Sequence, residues 1–220
     1  MLLPRTNSYI GTLVDDLITK GTNEPYRMMT SRSEYRLLLR QDNADARLTP
    51  EGYRVGLISE ERYAAFLEKQ QRIKNEIERL SHTHVSPEKA SDLLASLNEP
   101  ALCTGASLAD LMRRPAITYE ALSVLDVARP SLTRAEALCV EVQIKYEGYI
   151  NRQLAEVTKH ARLESRPLPS DLDYSSITGL RIEAAQKLQA QRPLTVGQAS
   201  RISGVSPADI SVLLIYLGLH

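Results

Sequence analysis

The chain has 220 residues, with 27 Lys and Arg balanced by 27 Asp and Glu, no Trp, one Phe and ten Tyr. Its length holds one large or two small domains with a real core. Zero net charge argues against a polyanion binder steered by the whole molecule, so any nucleic-acid contact must come from a local patch, and scarce aromatics leave little for single-strand stacking platforms.

Taken in chain order, the apolar periodicity is helical throughout. Ile10, Leu13, Val14, Leu17 and Ile18 mark one apolar helix face, with Gly21 where that helix would stop. Ser31 and Glu34 carry a capping-box signature that predicts a helix through Arg40, although Arg36–Arg40 with its three leucines also suits a short strand. Thr49-Pro50 predicts a short helical turn ending at Gly56. Ser59 caps a longer helix over about Glu60 to Leu80, with Tyr63, Phe66, Leu67, Ile73, Ile77 and Leu80 inward. Ser86-Pro87 opens another to about Leu97, Ser107 and Thr118 open two short ones, and Thr133 caps an amphipathic segment reaching roughly His160. The run RPLPSDLD, Arg166 to Asp173, reads as a proline-punctuated linker. Three short helices follow, around Ile182–Gln191, Thr195–Ile202 and Pro207–Leu217. The expected class is all-α: a multi-helix region over 1–165 and a small three-helix subdomain over 174–220.

Between Glu24 and Arg54 fall six arginines (Arg27, Arg32, Arg36, Arg40, Arg47, Arg54) and no lysine. Guanidinium is preferred over ammonium where a planar fork must grip phosphate or carboxylate. Arg32, Arg36 and Arg40 are spaced by four and would form one stripe on a helix. Two readings stand: arginines pinning neighbouring loops through internal ion pairs, or an anion site for a nucleic-acid backbone.

The terminal run TVGQASRISGVSPADISVLL has helix-turn-helix spacing, with Gly204 at the turn. A DNA reader needs polar side chains along its second helix, whereas Ile210, Val212, Leu213, Leu214 and Ile215 make this one apolar. Core packing and a protein-docking surface are the two readings left. Ile210, Leu213, Leu214 and Leu217 form the core-facing stripe, with Ile215 outside and Gln198 and Arg201 as rim positions on the preceding helix. In Lys145-Tyr146-Glu147-Gly148-Tyr149-Ile150 a glycine sits in mid-helix at a cost of about 1 kcal/mol relative to alanine. Either a helix-packing notch or a binding groove would compensate.

Catalytic constellations are missing from the pattern. His82 and His84 lie on different helix faces without a nearby thiol or acid at metal spacing. Cys103 and Cys139 form neither a metal pair nor a disulfide framework, which fits a reducing cytoplasm. No apolar run reaches the ~18 residues of a membrane span. No G-x-G-x-x-G occurs, so no dinucleotide fingerprint is present.

The run EPYRMMTSRSEYRLLLRQDNADARLTPEGYRVGL resembles the start of the C-terminal region of the MnmG (GidA) family. The likeness continues in NSYIGTLVDDLITKGT, QIKYEGYI, ITGL and VGQASRISGVSPADISVLL, and so spans almost the whole chain. The resemblance implies a fragment of a flavoprotein whose nucleotide-binding part, with its reactive cysteines, lies upstream. That parent would be an FAD-dependent, homodimeric, cytoplasmic enzyme adding an aminomethyl or carboxymethylaminomethyl group at carbon 5 of the tRNA wobble uridine. Methylenetetrahydrofolate would supply the one-carbon unit and NADH would reduce the flavin. The resemblance further implies that the C-terminal helices engage the GTPase partner MnmE. Expected tRNA contacts are Arg27, Arg36 and Arg40, with Arg32 secondary. Expected docking residues are Tyr146, Gly148, Tyr149, Gln198, Arg201 and Ile215. The competing class is a stand-alone helical adaptor or nucleic-acid-binding module without catalysis.

Overall fold

The computed structural model describes residues 3–19, 25–164 and 166–218. Among them are nine α-helices: α1 (Tyr9–Thr19), α2 (Ala44–Arg54), α3 (Glu60–His82), α4 (Pro87–Ser96), α5 (Leu108–Met112), α6 (Arg134–Glu164), α7 (Ile182–Gln191), α8 (Val196–Arg201) and α9 (Pro207–Tyr216). The fold is all-helical apart from a two-stranded antiparallel ribbon, β1 (His84–Val85) and β2 (Ala106–Ser107), that pairs His84 with Ser107 and Val85 with Ala106. The Gly21 stop lies outside the described residues.

Two compact units divide the chain, Leu37–Asn151 and Leu2–Arg36 with Arg152–His220. The division falls within α6 rather than at the prolines of 166–173. In the first unit, Ile73 and Leu80 of α3 pack with Leu94, Leu108, Met112 and Val140. Helix starts there obey capping chemistry: Ser59, Ser86 and Ser107 each accept a backbone N–H from the third residue onward. Thr133 does the same for Glu136, whose carboxylate returns to the Thr133 N–H at 2.8 Å. Only the C-terminal half of the expected α3 face is core. Tyr63 and Phe66 are half-buried and Leu67 is exposed, and Tyr63 instead stacks on Tyr53 of α2 at 4.0 Å between ring centroids.

In the second unit, Tyr174, Leu188, Val196, Ala199, Ile202 and Leu213 form the centre of a small core. The segment expected to be a linker is part of it: Leu168 and Leu172 are buried, the Leu168 N–H donates to Leu194 O at 2.9 Å, and Val196 N–H donates to Arg166 O at 3.0 Å. Prolines deny this stretch a helix, but its leucines still have apolar area to bury.

Residues 31–40 form neither the expected helix nor a strand. Thr30–Arg32 is a single 3-10 turn and the chain then runs through turns to Leu39. A capping box needs the Glu34 carboxylate to reach back to Ser31, and here Arg5 holds it through both oxygens at 2.8 Å. The carbonyls that a helix would bond internally are taken by side chains: Leu37 O by Arg40, Leu38 O by Asn43 at 2.9 Å, and Arg40 O by Arg47 at 3.0 Å. α2 consequently begins at Ala44, earlier than Pro50 suggested, and carries that proline inside it.

Candidate nucleic-acid interface

The arginine segment is built on polar packing rather than on a helix. α1 buries Gly11, Thr12 and Asp16 and leaves Ile10, Val14, Leu17 and Ile18 exposed, the reverse of the expected face. Gly11 permits this, because a Cβ there would sit 2.5 Å from the Leu3 and Pro4 carbonyl oxygens. Arg5, 8% exposed, enters the same interior and meets Asp15, Asp16 at 3.3 Å and Glu34. Burial disfavours its cation, yet the contacts to Glu34 and Asp15 outweigh that and raise its pKa. Asp16 also accepts from the Tyr26 hydroxyl at 2.8 Å, and burial followed by that bond raises the Tyr26 phenol pKa.

Both ends of the 25–36 segment are therefore fixed, Tyr26 to Asp16 and Glu34 to Arg5. Between and beside these pins, Arg27, Arg32 and Arg36 are exposed. Arg32 lies over the Tyr26 ring, 4.9 Å from its centroid. Arg27 and Arg36 have no ion-pair partner among the described residues. The structure thus presents guanidinium groups to solvent from an anchored stretch of chain, which is a geometry suited to phosphate oxygens.

Arg40 belongs to the other unit and differs in kind. Its Nε donates to Asp42 Oδ1 at 3.0 Å, its Nη2 to Asp42 Oδ2 at 3.1 Å, and its Nη1 to Leu37 O. Arg47 donates to Asn43 Oδ1 at 3.0 Å, and Arg54 pairs with Glu51 at 2.7 Å. The six arginines therefore split: internal contacts pin Arg40 and Arg47, Arg54 forms an exposed ion pair along α2, and the first three are openly displayed.

The expected docking residues also separate. Ile215 is 62% exposed beside Tyr216, and with Val212 and Thr178 they line a shallow recess of about 280 Å³. Ile210 and Leu213 of the same helix are buried, and Leu214 and Leu217 pack against their core. Gln198 is half-buried and its Oε1 accepts from the Leu194 N–H at 2.8 Å. Arg201 is committed to α1, donating from Nη2 to Asp15 Oδ1 at 3.0 Å. Tyr146, Gly148 and Tyr149 lie on an exposed stretch of α6, and a Cβ added at Gly148 would meet nothing within 4 Å. The packing notch that would explain this glycine is not there among the described residues.

Sequence reasoning missed Arg5, Asp15, Asp16 and Tyr26. The available signal was the Asp15-Asp16 doublet inside an apolar-periodic helix, since adjacent carboxylates in a packed helix require cations. No group of three or more His, Cys, Asp or Glu among the described residues could hold a metal ion. Cys139 is buried, with its thiol pKa raised by desolvation, while Cys103 is exposed. No helix among the described residues is long and apolar enough to cross a membrane.

The described residues form two largely helical units, one of which carries an anchored, lysine-free arginine segment. Residues 60–154 match the family model described as tRNA modifying enzyme MnmG/GidA C-terminal helical domain, and residues 156–219 match the MnmG/GidA C-terminal helical bundle. The chain is 59% identical over 218 residues to the tRNA uridine 5-carboxymethylaminomethyl modification enzyme MnmG of Alkaliphilus oremlandii, covering 98% of this chain and 34% of that protein. The corresponding enzyme of Caldicellulosiruptor saccharolyticus is 55% identical over 218 residues, covering 99% and 35%. The crystal structure of Aquifex aeolicus GidA (form II) is similar with a TM-score of 0.78 at 42% identity, covering 99% of this chain and 34% of that one. The chain belongs to the MnmG/GidA family and corresponds to its C-terminal helical region. It spans about a third of the length of these relatives.

Proposed function

We propose that this chain is the tRNA-recognition and partner-docking region of an FAD-dependent enzyme that modifies the tRNA wobble uridine at carbon 5. The observation that carries the reading is the display of Arg27, Arg32 and Arg36 from a segment pinned at Tyr26 and Glu34. The relatives' naming as tRNA uridine modification enzymes supplies the class of nucleic acid. Arg40, bonded to Asp42 and to Leu37 O, is the least available of the four for phosphate. The 174–220 subdomain docks the GTPase partner MnmE, with the exposed Ile215 and Tyr216 as the apolar centre of that surface.

The described residues do not fit a flavin dinucleotide. Such a ligand needs a glycine-rich turn leading from a strand into a helix N-terminus. The ribbon strands have two residues each, and β2 leads through Ser107 into the five-residue α5 without that turn. FAD, NADH and methylenetetrahydrofolate therefore belong to the part of the relatives' length that this chain does not span, in a cytoplasmic homodimer. This chain contributes affinity and orientation, not bond chemistry.

The test is tRNA binding by full-length protein carrying Arg36→Ala. It should keep its flavin and fold, bind tRNA more weakly, and lower the slope of log affinity against log salt by somewhat under about one unit. Unchanged affinity and slope, also with Arg27→Ala and Arg32→Ala added, would return these arginines to a structural role. The isolated chain should be colourless and oxidise no NADH, and stoichiometric flavin retained by it would overturn the assignment of the cofactor elsewhere.

A further inference from the structure

The inner face of α1 is fixed by close and polar contacts. A Cβ at Gly11 would lie 2.5 Å from the Leu3 and Pro4 carbonyl oxygens, the Thr12 hydroxyl donates to Ser8 O at 3.3 Å, and Asp16 accepts from the Tyr26 hydroxyl at 2.8 Å and pairs with Arg5 at 3.3 Å. These contacts set the rotation of the helix about its axis and leave its apolar side outward. Ile10, Val14, Leu17 and Ile18 are 56%, 43%, 45% and 75% exposed. Their spacing of i, i+4, i+7 and i+8 makes one stripe with no charged residue in it. The stripe runs into a recess of about 450 Å³ that Ile18 lines together with Pro193, Leu194 and Ile202, and Leu194 is itself 68% exposed. A continuous apolar surface of this kind marks a contact.

We propose that the outward face of α1 is the seam against which the preceding portion of the same polypeptide packs, an apolar side chain of that portion entering the recess beside Ile18. This rests on the remaining length of the protein standing ahead of this chain, and not on the tRNA-binding reading.

Three observations select this occupant. The relatives align with 98% of this chain, whereas the two helical family models begin only at residue 60 and cover 60–154 and 156–219. Residues 1–59, α1 among them, therefore belong to the family without belonging to its C-terminal helical modules. This chain matches 34% of the length of such a relative, so in a protein of that length about two-thirds of the polypeptide precedes α1, and consecutive segments are usually neighbours in space. The chemistry of the stripe agrees. A nucleic-acid backbone needs cations, and the four residues supply none. Surfaces that open and close against a partner carry a polar rim, whereas permanent contacts are as apolar as a core cut in half. Through the Tyr26 bond to Asp16, the same seam anchors the start of the arginine segment to the preceding portion.

The test is thiol labelling of full-length protein carrying Ile18→Cys, read at that residue by mass spectrometry. Ile182→Cys, at a position 78% exposed on α7, is the reference. In native protein the thiol of Ile18→Cys should label at least about tenfold more slowly than in denaturant, while that of Ile182→Cys labels close to its denatured rate. The protection should be the same at every protein concentration and with neither tRNA nor a second protein added. Native labelling of Ile18→Cys at the denatured rate overturns the proposal. Protection that disappears on dilution makes the occupant a second copy, and protection that appears only on adding the proposed GTPase partner or tRNA makes it that molecule; either result overturns the proposal too. Should Ile18→Cys fail to fold, hydroxyl-radical footprinting of the unaltered full-length protein decides. Ile18 should be oxidised several-fold more slowly than Ile182, although the two are about equally exposed in this chain, and equal oxidation overturns the proposal. Neither measurement reads tRNA affinity, so failure here leaves the tRNA-binding reading to its own test.

Discussion

Two helices of the same unit, α1 and α9, treat their apolar residues in opposite ways. α9 buries Ile210 and Leu213 and turns Ile215 and Tyr216 outward. α1 buries Gly11, Thr12 and Asp16 and leaves Ile10, Val14, Leu17 and Ile18 in the open. Both have helical periodicity, so periodicity identified the element in each case. It did not identify the inner face, because polar groups with partners can be buried as cheaply as methyl groups. The Thr12 hydroxyl donates to Ser8 O at 3.3 Å, and Asp16 has Arg5 and Tyr26. α1 is held by a charge network, whereas α9 is held by apolar packing along its length and by one buried carboxylate, Asp209, paired with Arg181 at its start.

The sharpest way to break that contrast is to remove apolar side chains from each helix. Leu213 is fully buried, and Leu213→Ala should cost about 2–5 kcal/mol through lost burial and a cavity. Val14→Ala on α1 should change stability by no more than about 0.5 kcal/mol. Denaturant unfolding of this chain measures both, and similar costs at the two sites would erase the distinction.

A smaller effect separates the charge contributions. Arg181 donates to Asp209 from Nε at 3.1 Å and from Nη2 at 2.5 Å, while Ser206 N–H and Oγ each donate at 2.7 Å. The Arg181 contact, followed by those from Ser206, holds the Asp209 carboxyl well below the usual carboxylate range despite its burial. Asp209→Asn should cost about 1–3 kcal/mol near neutrality. Because the folded carboxyl has the lower pKa, the unfolded chain takes up the proton first as pH falls. The contribution is complete above about pH 5 and is lost progressively below about pH 4. The Tm gap between the parent chain and Asp209→Asn should therefore narrow as the pH is taken below about 4. A gap independent of pH would show that Asp209 acts through shape alone.

What was legible in the sequence divides along the same line. Caps are local chemistry, so Ser59, Ser86, Ser107 and Thr133 announced their helices, and each side chain accepts the N–H expected of it. The exposure of Ile215 opposite Leu213 was readable for the same reason. The 31–40 segment was not, because its outcome is decided by Arg5, which withdraws Glu34 from the capping box across 29 positions. Arg201 read as a rim residue because nothing near it in sequence names Asp15. Leu168 and Leu172 were hidden by their prolines, which exclude a helix without saying whether the segment packs. The ribbon is two residues a side, too short for any alternation to register.

Gly148 sharpens the comparison from a third helix. Its position is open, and Tyr146 and Tyr149 beside it are 44% and 59% exposed. If only the fold matters there, Gly148→Ala should stabilise the chain by about 0.5–1 kcal/mol. If instead a partner backbone approaches that glycine, the same variant should stabilise the chain yet weaken the assembled complex. Thermal melts of the chain and co-purification of the full-length protein give the two readouts.

The smallest effect on the fold is expected at Ile215. Its side chain projects from α9 beside the recess formed with Thr178, Val212 and Tyr216, while the core contacts of that helix are made by Ile210 and Leu213. Ile215→Asp should therefore move stability by no more than about 0.5 kcal/mol. It places a carboxylate at the centre of an apolar surface, however, and burying that charge against a partner without a cation to meet it is costly. In full-length protein the variant should lose co-purification with the proposed GTPase partner while the tRNA binding proposed for Arg27, Arg32 and Arg36 survives. Unfolding of the variant would place Ile215 in the core and end the contrast between the two faces of α9. A well-folded variant that still forms the complex would move the docking surface away from the terminal helix, with the open stretch around Tyr146 and Tyr149 the next place to introduce a charge.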